Sequence, residues 1–538
     1  VFSASIHRVE LVLLLLLLLA AALTTLARRF QTPYPIVLVI AGLVLSFVPG
    51  LPRVSLNPQV VLLILLPPLL FAAATNTAWR DFKFHMVSIL MLAFGLVGFT
   101  VAGIAVASNW LLPGFDWRTG LVLGAVVCTT DAIAATSIAS RVGLPRRIID
   151  LLEGESLVND ASGLLALEFA VALVRTGERP SILAGALQVL YLLGAGVVVG
   201  LAIGWLAQLA QKHVIDPPVE ITISLVVPYM AYLIAEQLGA SGALAVVVCG
   251  IYLGRKNSEV YTSQARLQGI GVWNTLDFIL NGTVFIVIGL QLPFILAEIR
   301  SMSHAQLIRD AAIVSAVTIA LRFVWVYPGI RIAYLIRTRV FGQKYSRLKP
   351  RAIFIVGWTG MRGVLALAAA ISLPRFLDNG NPFPERDVII FLTFCVILVT
   401  LVLQGLTLPV LIRKLGLSEM EMRPVEEEEA RRAMLTAALA YLETLEVEEN
   451  AELQHARADI GHHYQQRLST LTARKDKSPE DKGLARELKH SRQLTQELRR
   501  IERNALQQLY TEDKISDPVL RQLERELDLL DARFVSRH

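Results

Sequence analysis

From residue 9 to residue 412 the chain is a series of apolar runs joined by short polar turns, and most runs are long enough to cross a bilayer. A hydrocarbon core about 30 Å thick needs roughly 20 helical residues at about 1.5 Å each. Hydropathy predicts thirteen spans, at 9–27, 34–49, 57–78, 86–112, 119–140, 148–174, 183–210, 219–237, 239–254, 269–296, 308–335, 351–374 and 387–412. Spans 34–49 and 239–254 are marginal in length. Composition points the same way. Of 538 residues 54% are apolar and 18% charged, whereas about 25% are charged in a typical soluble domain. Of the 96 charged residues 46 fall in the last 125 positions, after residue 413, so the apolar excess belongs to a membrane domain, 1–413.

The formal net charge of +6 is not a nucleic-acid signal, because Lys and Arg sit in short loops without an aromatic-interleaved basic face. Cys128, Cys249 and Cys395 each lie in an apolar run, with neither Cys-x-x-Cys nor Cys/His metal spacing. Arg28 and Arg29 follow the first run rather than precede it, and no small-x-small cleavage site is evident, so it reads as a retained span rather than a signal peptide. With the N-terminus outside, loops carrying Arg80, Lys83, Arg146, Arg147, Lys212, Arg255, Arg337, Arg339 and Lys349 face the cytoplasm. The outward loops are poorer in Lys and Arg, as the positive-inside rule requires. An odd number of spans then places the C-terminus inside.

After residue 413 the composition changes to helix formers. "RPVEEEEARRAMLTAALAYLETLEVEE" carries its acidic run where a helix N-terminus favours negative charge. Helical pattern resumes in "LARELKHSRQLTQELRRIERNALQQLY" and "SDPVLRQLERELDLLDARF". Residues 414–538 are expected to form a cytoplasmic helical domain.

Two spans are interrupted in their middles. Span 5 contains "CTTDA" and span 12 contains "VGWTGMRGVLA", with glycines around Arg362. They lie seven spans apart, so the two helices run in opposite directions. Paired interruptions of this kind point to a secondary transporter with inverted repeats. The expected fold is therefore an all-α polytopic membrane protein of about thirteen helices. Spans 1–6 and 8–13 form the repeats, two interrupted helices cross, and a cytoplasmic helical domain follows. "LPPLL" at 66–70 predicts a kink in span 3.

Carboxylates occur inside these runs. Asp131 and Asp160 each lie about 12 residues into their spans, about 18 Å from the entry face. An uncompensated charge there costs at least about 2.5–3.5 kcal/mol. It is retained with a partner, a water-filled cavity or a bound cation. Glu155, Ser156, Asn159 and Asp160 fall on one narrow helix face, and Asp131 with the carbonyls of a broken span 5 can approach it. All are hard oxygen donors, suited to a hard cation. A carboxylate withdrawn from water holds its proton more tightly, so one site can take either a proton or a cation, which suffices for exchange. Arg322 in span 11 and Arg362 at the break of span 12 must each find an acceptor. Glu155 is the expected partner of Arg322, leaving Asp160 to titrate. Arg362 is expected to neutralise the carbonyl ends at the break. Glu236, Asp277 and Asn281 read as loop, interfacial or capping residues, and Glu168 has no assignment.

"TTDAIA", "GESLVNDASGLLA", the arginine of span 11 and "WTGMRGVLALAAAISLP" together resemble the first family of monovalent cation:proton antiporters. That family includes the bacterial and archaeal NhaP-type proteins and the animal sodium/hydrogen exchangers. The resemblance covers roughly residues 9–412. It implies a homodimer in the bacterial inner membrane, with a six-helix core domain moving as an elevator against a dimerisation domain. Asp160 would carry the proton or Na+, with Asp131, Ser156 and Thr130 completing the metal-binding set. Asn159 would be the neutral partner, hydrogen-bonded near Asp131, and the Asn-Asp pair implies one proton per cation and no net charge moved. Glu155, Arg322 and Arg362 would be structural. No cofactor is implied beyond the transported ions, and K+ or Li+ could replace Na+. Relatives often carry an acid after "LPPLLF", where this chain has Ala72. The tail would be regulatory, with an unknown ligand. A cation channel gated by the tail and an intramembrane protease using Asp131 and Asp160 are the competing readings.

Overall fold

The computed structural model describes residues 2–29, 32–48, 58–77, 79–176, 182–299, 302–342, 348–417 and 423–444, with scattered residues between 458 and 527. It divides into two compact units, Val1–Glu419 and Met420–His538.

The first unit is helical. In chain order come α1 (Phe2–Arg29), α2 (Tyr34–Leu45), α3 (Leu66–Asn76), α4 (Trp79–Leu90), α5 (Val97–Leu111), α6 (Trp117–Val127), α7 (Ala132–Val142) and α8 (Arg146–Thr176). They are followed by α9 (Ile182–Gln211), α10 (Pro217–Gln237), α11 (Gly242–Arg255), α12 (Ser263–Leu290), α13 (His304–Arg339), α14 (Pro350–Trp358), α15 (Val364–Ile371), α16 (Arg386–Val399) and α17 (Gly405–Lys414). Eight helical stretches are long and apolar enough to cross a membrane, and Leu14–Ala27, Tyr34–Leu45, Trp117–Val127 and Gly242–Arg255 are shorter apolar helices. In hydrocarbon only structures that satisfy their own backbone groups survive, so these runs fold as helices and the chain is a multi-pass membrane protein.

Polar residues at the run ends start and stop the helices. Asp116 and Thr119 form a reciprocal capping box at α6, with Thr119 N–H donating to Asp116 Oδ1 at 2.8 Å. Ser303 and Gln306 do the same for α13. Each box satisfies amides that have no intrahelical acceptor.

Three stretches wind as π-helix: Val61–Leu65 before α3, Met91–Leu96 between α4 and α5, and Thr400–Gln404 between α16 and α17. The first two have a local cause or partner. Pro68 has no N–H to give Ile64, so that carbonyl accepts instead from Tyr229 Oη on α10 at 3.0 Å. This is how the expected kink at "LPPLL" is realised. In the second stretch Met91 O accepts from Trp325 Nε1 at 3.1 Å and Ala93 O from Ser162 Oγ at 2.6 Å.

Buried apolar residues fall into two clusters. The smaller one joins α3, α9, α10 and α11 through residues such as Phe71, Ile203, Ala231 and Val246. The larger one joins α1, α2, α4–α8 and α12–α17. Helix α8 stands between them. Its Val158 and Leu167 lie in the larger cluster and its Leu157 and Ala161 in the smaller. Within the larger cluster α2 and α12 meet backbone to backbone, because a Cβ on Gly42 or Gly289 would overlap the facing helix.

In the second unit α18 (Arg423–Thr444) opens on the acidic run, with Leu435 buried. The later tail segments read as helical, 484–510 and 516–534, lie largely outside the described residues.

Candidate ion-binding site at two crossed, interrupted helices

Span 5 is not one helix but two. α6 ends at Val127, Cys128–Asp131 is non-helical, and α7 begins at Ala132. Span 12 breaks likewise between Trp358 and Val364, with Thr359–Gly363 extended or irregular. The two breaks cross and bond to each other. Asp131 N–H donates to Met361 O at 2.7 Å, and Arg362 Nε donates to Val127 O at 3.0 Å. Arg362 Nη1 also donates to Gly360 O, and its backbone N–H donates to Thr400 Oγ1 at 3.2 Å. The guanidinium thus sits at the carbonyl ends of α6 and α14, where helix dipoles are negative. Gly363 is required by close approach, since a Cβ there would overlap the Asp131 carboxylate.

Helix α8 supplies the facing residues. Glu155 forms a two-pronged ion pair with Arg322, Nη1 to Oε1 at 2.5 Å and Nη2 to Oε2 at 2.9 Å, both side chains 1% exposed. The remaining valences of Arg322 go to Val356 O, from Nε at 3.3 Å and Nη2 at 3.0 Å. Thr130 Oγ1 donates to Glu155 at 3.4 Å and accepts from Asn159 Nδ2 at 3.0 Å. Asn159 also donates to Cys128 O at 3.3 Å, and Ser156 Oγ donates to Thr130 O at 2.8 Å. Asn159, Ser156 and Glu155 therefore tie α8 to the unwound Cys128–Asp131 segment.

Asp160 is treated differently. It is half-buried beside this network, and among the described residues neither an ion pair nor a hydrogen bond engages its carboxylate. The buried cation that reaches α8, Arg322, pairs with Glu155 instead. A carboxylate left without a protein cation here is open to a proton or a small cation. Among the described residues there is no group of three or more His, Cys, Asp or Glu side chains placed to hold a metal. Hydroxyl and backbone oxygens of Ser156 and Thr130 meet between α8 and the unwound segment.

Some participants carry no mark in the sequence. Thr400, Val127 and Met361 support the crossing, and Ser162 and Trp325 hold the π-helical stretch alongside. A lone Thr in an apolar run and backbone carbonyls carry no pattern that marks them. Asn281 was expected to cap or bridge across the core, but its Nδ2 donates at 2.9 Å to Asp277 one turn away on the same helix. Asp277 itself is not near a helix end but in the middle of α12.

Two interrupted helices crossing beside an uncompensated carboxylate, in a multi-pass helical protein, define an ion-coupled membrane transporter. Residues 14–414 match the family described as sodium/hydrogen exchanger, transmembrane, and the chain belongs to that family. It is 32% identical over 529 residues to an uncharacterised Na+/H+ exchanger of Mycobacterium bovis, covering 95% of this chain and 94% of the relative. It is 31% identical over 513 residues to the sodium, potassium, lithium and rubidium/H+ antiporter of Bacillus pumilus, covering 93% of this chain and 74% of the relative. The fold is similar to that of the sodium proton antiporter MjNhaP1 from Methanocaldococcus jannaschii. The TM-score is 0.59 at 20% identity, covering 77% of this chain and 99% of that one.

Proposed function

We propose that this protein exchanges Na+ for H+ across the membrane, with Asp160 holding either ion in turn. The observation that carries the reading is the division of labour on α8: Glu155 is neutralised by Arg322, and Asp160 is not. A proton and a sodium ion then compete for one pair of oxygens. Ser156, Thr130 and Asp131 surround the cation, and Asn159 and Arg362 hold the broken backbone in place. Occupancy by one ion or the other moves one unit charge each way, so exchange is electroneutral. K+ and Li+ are further candidates, a reading supported by the name of the Bacillus pumilus relative, which includes both ions.

Alternating access is proposed to move the crossed helices with α8 past the cluster of α3, α9, α10 and α11, in an elevator motion within a homodimer. The architecture is read as thirteen crossings in two inverted repeats. The N-terminus lies outside and the C-terminal helical domain in the cytoplasm of a bacterial inner membrane, where that domain regulates transport. A tail-gated channel is less favoured, because the family is one of exchangers.

The test is sodium-driven proton movement in proteoliposomes. Asp160→Ala is expected to abolish it in a folded protein. In the wild type, lowering the pH is expected to raise the KM for Na+ without lowering the rate at saturating Na+. Near wild-type exchange by Asp160→Ala, or Na+ flux insensitive to a pH gradient, defeats the reading.

A further inference from the structure

The acids of the helical bundle sort by what offsets their charge. Glu155 has Arg322. Asp310 has Arg309 at 2.9 Å. Glu220 accepts from the N–H and hydroxyl of Thr262 at 2.9 and 2.8 Å, capping α12. Asp277 fits none of these patterns. It lies fourteen residues into α12, about 21 Å along the axis at about 1.5 Å per residue. Its described partner is an amide, Asn281, which orients the carboxylate but brings no charge. No ion pair among the described residues reaches it. A carboxylate at that depth is costly and calls for a function.

Its direction follows from its neighbours. One turn earlier, Trp273 meets Phe71 of α3, ring centroids 5.4 Å apart. The opposite face carries Gly282 near Ala20 of α1 and Leu38 of α2, and Gly289 against Val39 of α2. At 3.6 residues per turn Asp277 lies about 40° from Trp273 and about 140° from Gly282. Trp273 Nε1 also donates to Ser224 Oγ of α10 at 3.1 Å, so Asp277 faces the α3 and α10 side, away from α1 and α2. Helix α12 also packs on α15, the half-helix that begins beside Asp131, and α15 packs on the π-helical stretch before α3. Asp277 thus lies on a helix that packs on both α3 and the half-helix α15 of the broken span 12.

We propose that Asp277 is a second cation-contacting residue, a relay carboxylate that receives the hydrated monovalent cation on its way to or from Asp160. Asn281 holds Oδ1 and leaves Oδ2 for the cation, and both side chains offer hard oxygens. The role rests on the exchange reading and adds a step before the carrier is reached. It governs how readily the cation is captured, not how fast the loaded carrier moves.

The experiment measures exchange in proteoliposomes against Na+ concentration for wild type, Asp277→Asn and Asp277→Glu, with thermal unfolding of each. Asp277→Asn is expected to raise the KM for Na+ about tenfold while the saturated rate stays within about twofold. Asp277→Glu is expected to recover most of the KM. A KM unmoved by Asp277→Asn overturns the proposal. So does a fall in saturated rate at constant KM, or failure of that isosteric variant to fold, since each makes Asp277 structural. Failure of the exchange reading shows separately, as absence of sodium-driven proton movement in the wild type.

Discussion

At the scale of single residues, the division between Glu155 and Asp160 governs the chemistry. Five positions apart on one helix, they meet opposite fates because Arg322 reaches one and not the other. Burying an ion pair gains little net stability, but removing one partner strands the other charge. Glu155→Ala leaves the 1%-exposed Arg322 with only Val356 O to satisfy it. The variant is expected to lose about 3–5 kcal/mol of stability, read as a large drop in thermal unfolding temperature, along with exchange. Replacing both partners, Glu155→Gln with Arg322→Met, is expected to restore much of the stability and none of the exchange. Asp160→Ala, in contrast, removes a half-buried, unbonded side chain and should leave unfolding close to wild type. Calorimetry on the three variants separates the structural acid from the transporting one.

At the scale of elements, the crossing is an arrangement of helix ends. Four half-helices, α6, α7, α14 and α15, terminate at the same place, which would leave backbone donors and acceptors unsatisfied in a dry interior. Two cross-bonds join the breaks, and Arg362 covers carbonyls of both. The geometry depends on Gly363, whose missing side chain makes room for the Asp131 carboxylate. Gly363→Ala is expected to push the two broken segments apart and cut exchange by at least about tenfold, a barrier increase of about 1.4 kcal/mol, with the protein still folded. Exchange at the wild-type rate in that variant would mean that Asp131 does not need its present position. The π-helical stretches belong to the same scale. They leave carbonyls that Tyr229, Trp325 and Ser162 take up, and so dictate which helices lie side by side.

At the scale of the whole molecule, two proposals can be checked without altering the site. Electroneutral exchange should be indifferent to voltage. Moving one net charge through 100 mV is worth about 2.3 kcal/mol, so an imposed potential that leaves the rate unchanged at fixed ion gradients is a sharp result. A rate that follows the potential would show net charge movement. The second concerns the tail. Val1–Glu419 is a compact unit of its own, and a chain ending there is expected to insert and exchange Na+ for H+ still. The effect of removing Met420–His538 should fall on how activity depends on pH or cation, measured in vesicles.

The membrane architecture was legible in the sequence because hydrocarbon imposes a single rule on every span, and runs of apolar residues obey it visibly. The interruptions in spans 5 and 12 were legible too, since polar residues and glycines in mid-span have few other uses, and the spacing of Glu155, Ser156, Asn159 and Asp160 gave their shared helix face. The pairing of Glu155 with Arg322 was expected and is present, but the spacing alone did not enforce it, because one helix face presents both carboxylates and distance decides between them. Asp277 reads from the sequence as lying near a span end, whereas it sits in mid-helix. Its depth depends on where α12 begins, and that start is set by Thr262 and Glu220, a cap from another helix. Local pattern determines what each segment is. Only the packed bundle determines which charges are compensated, because compensation is a property of two residues brought together from distant parts of the chain.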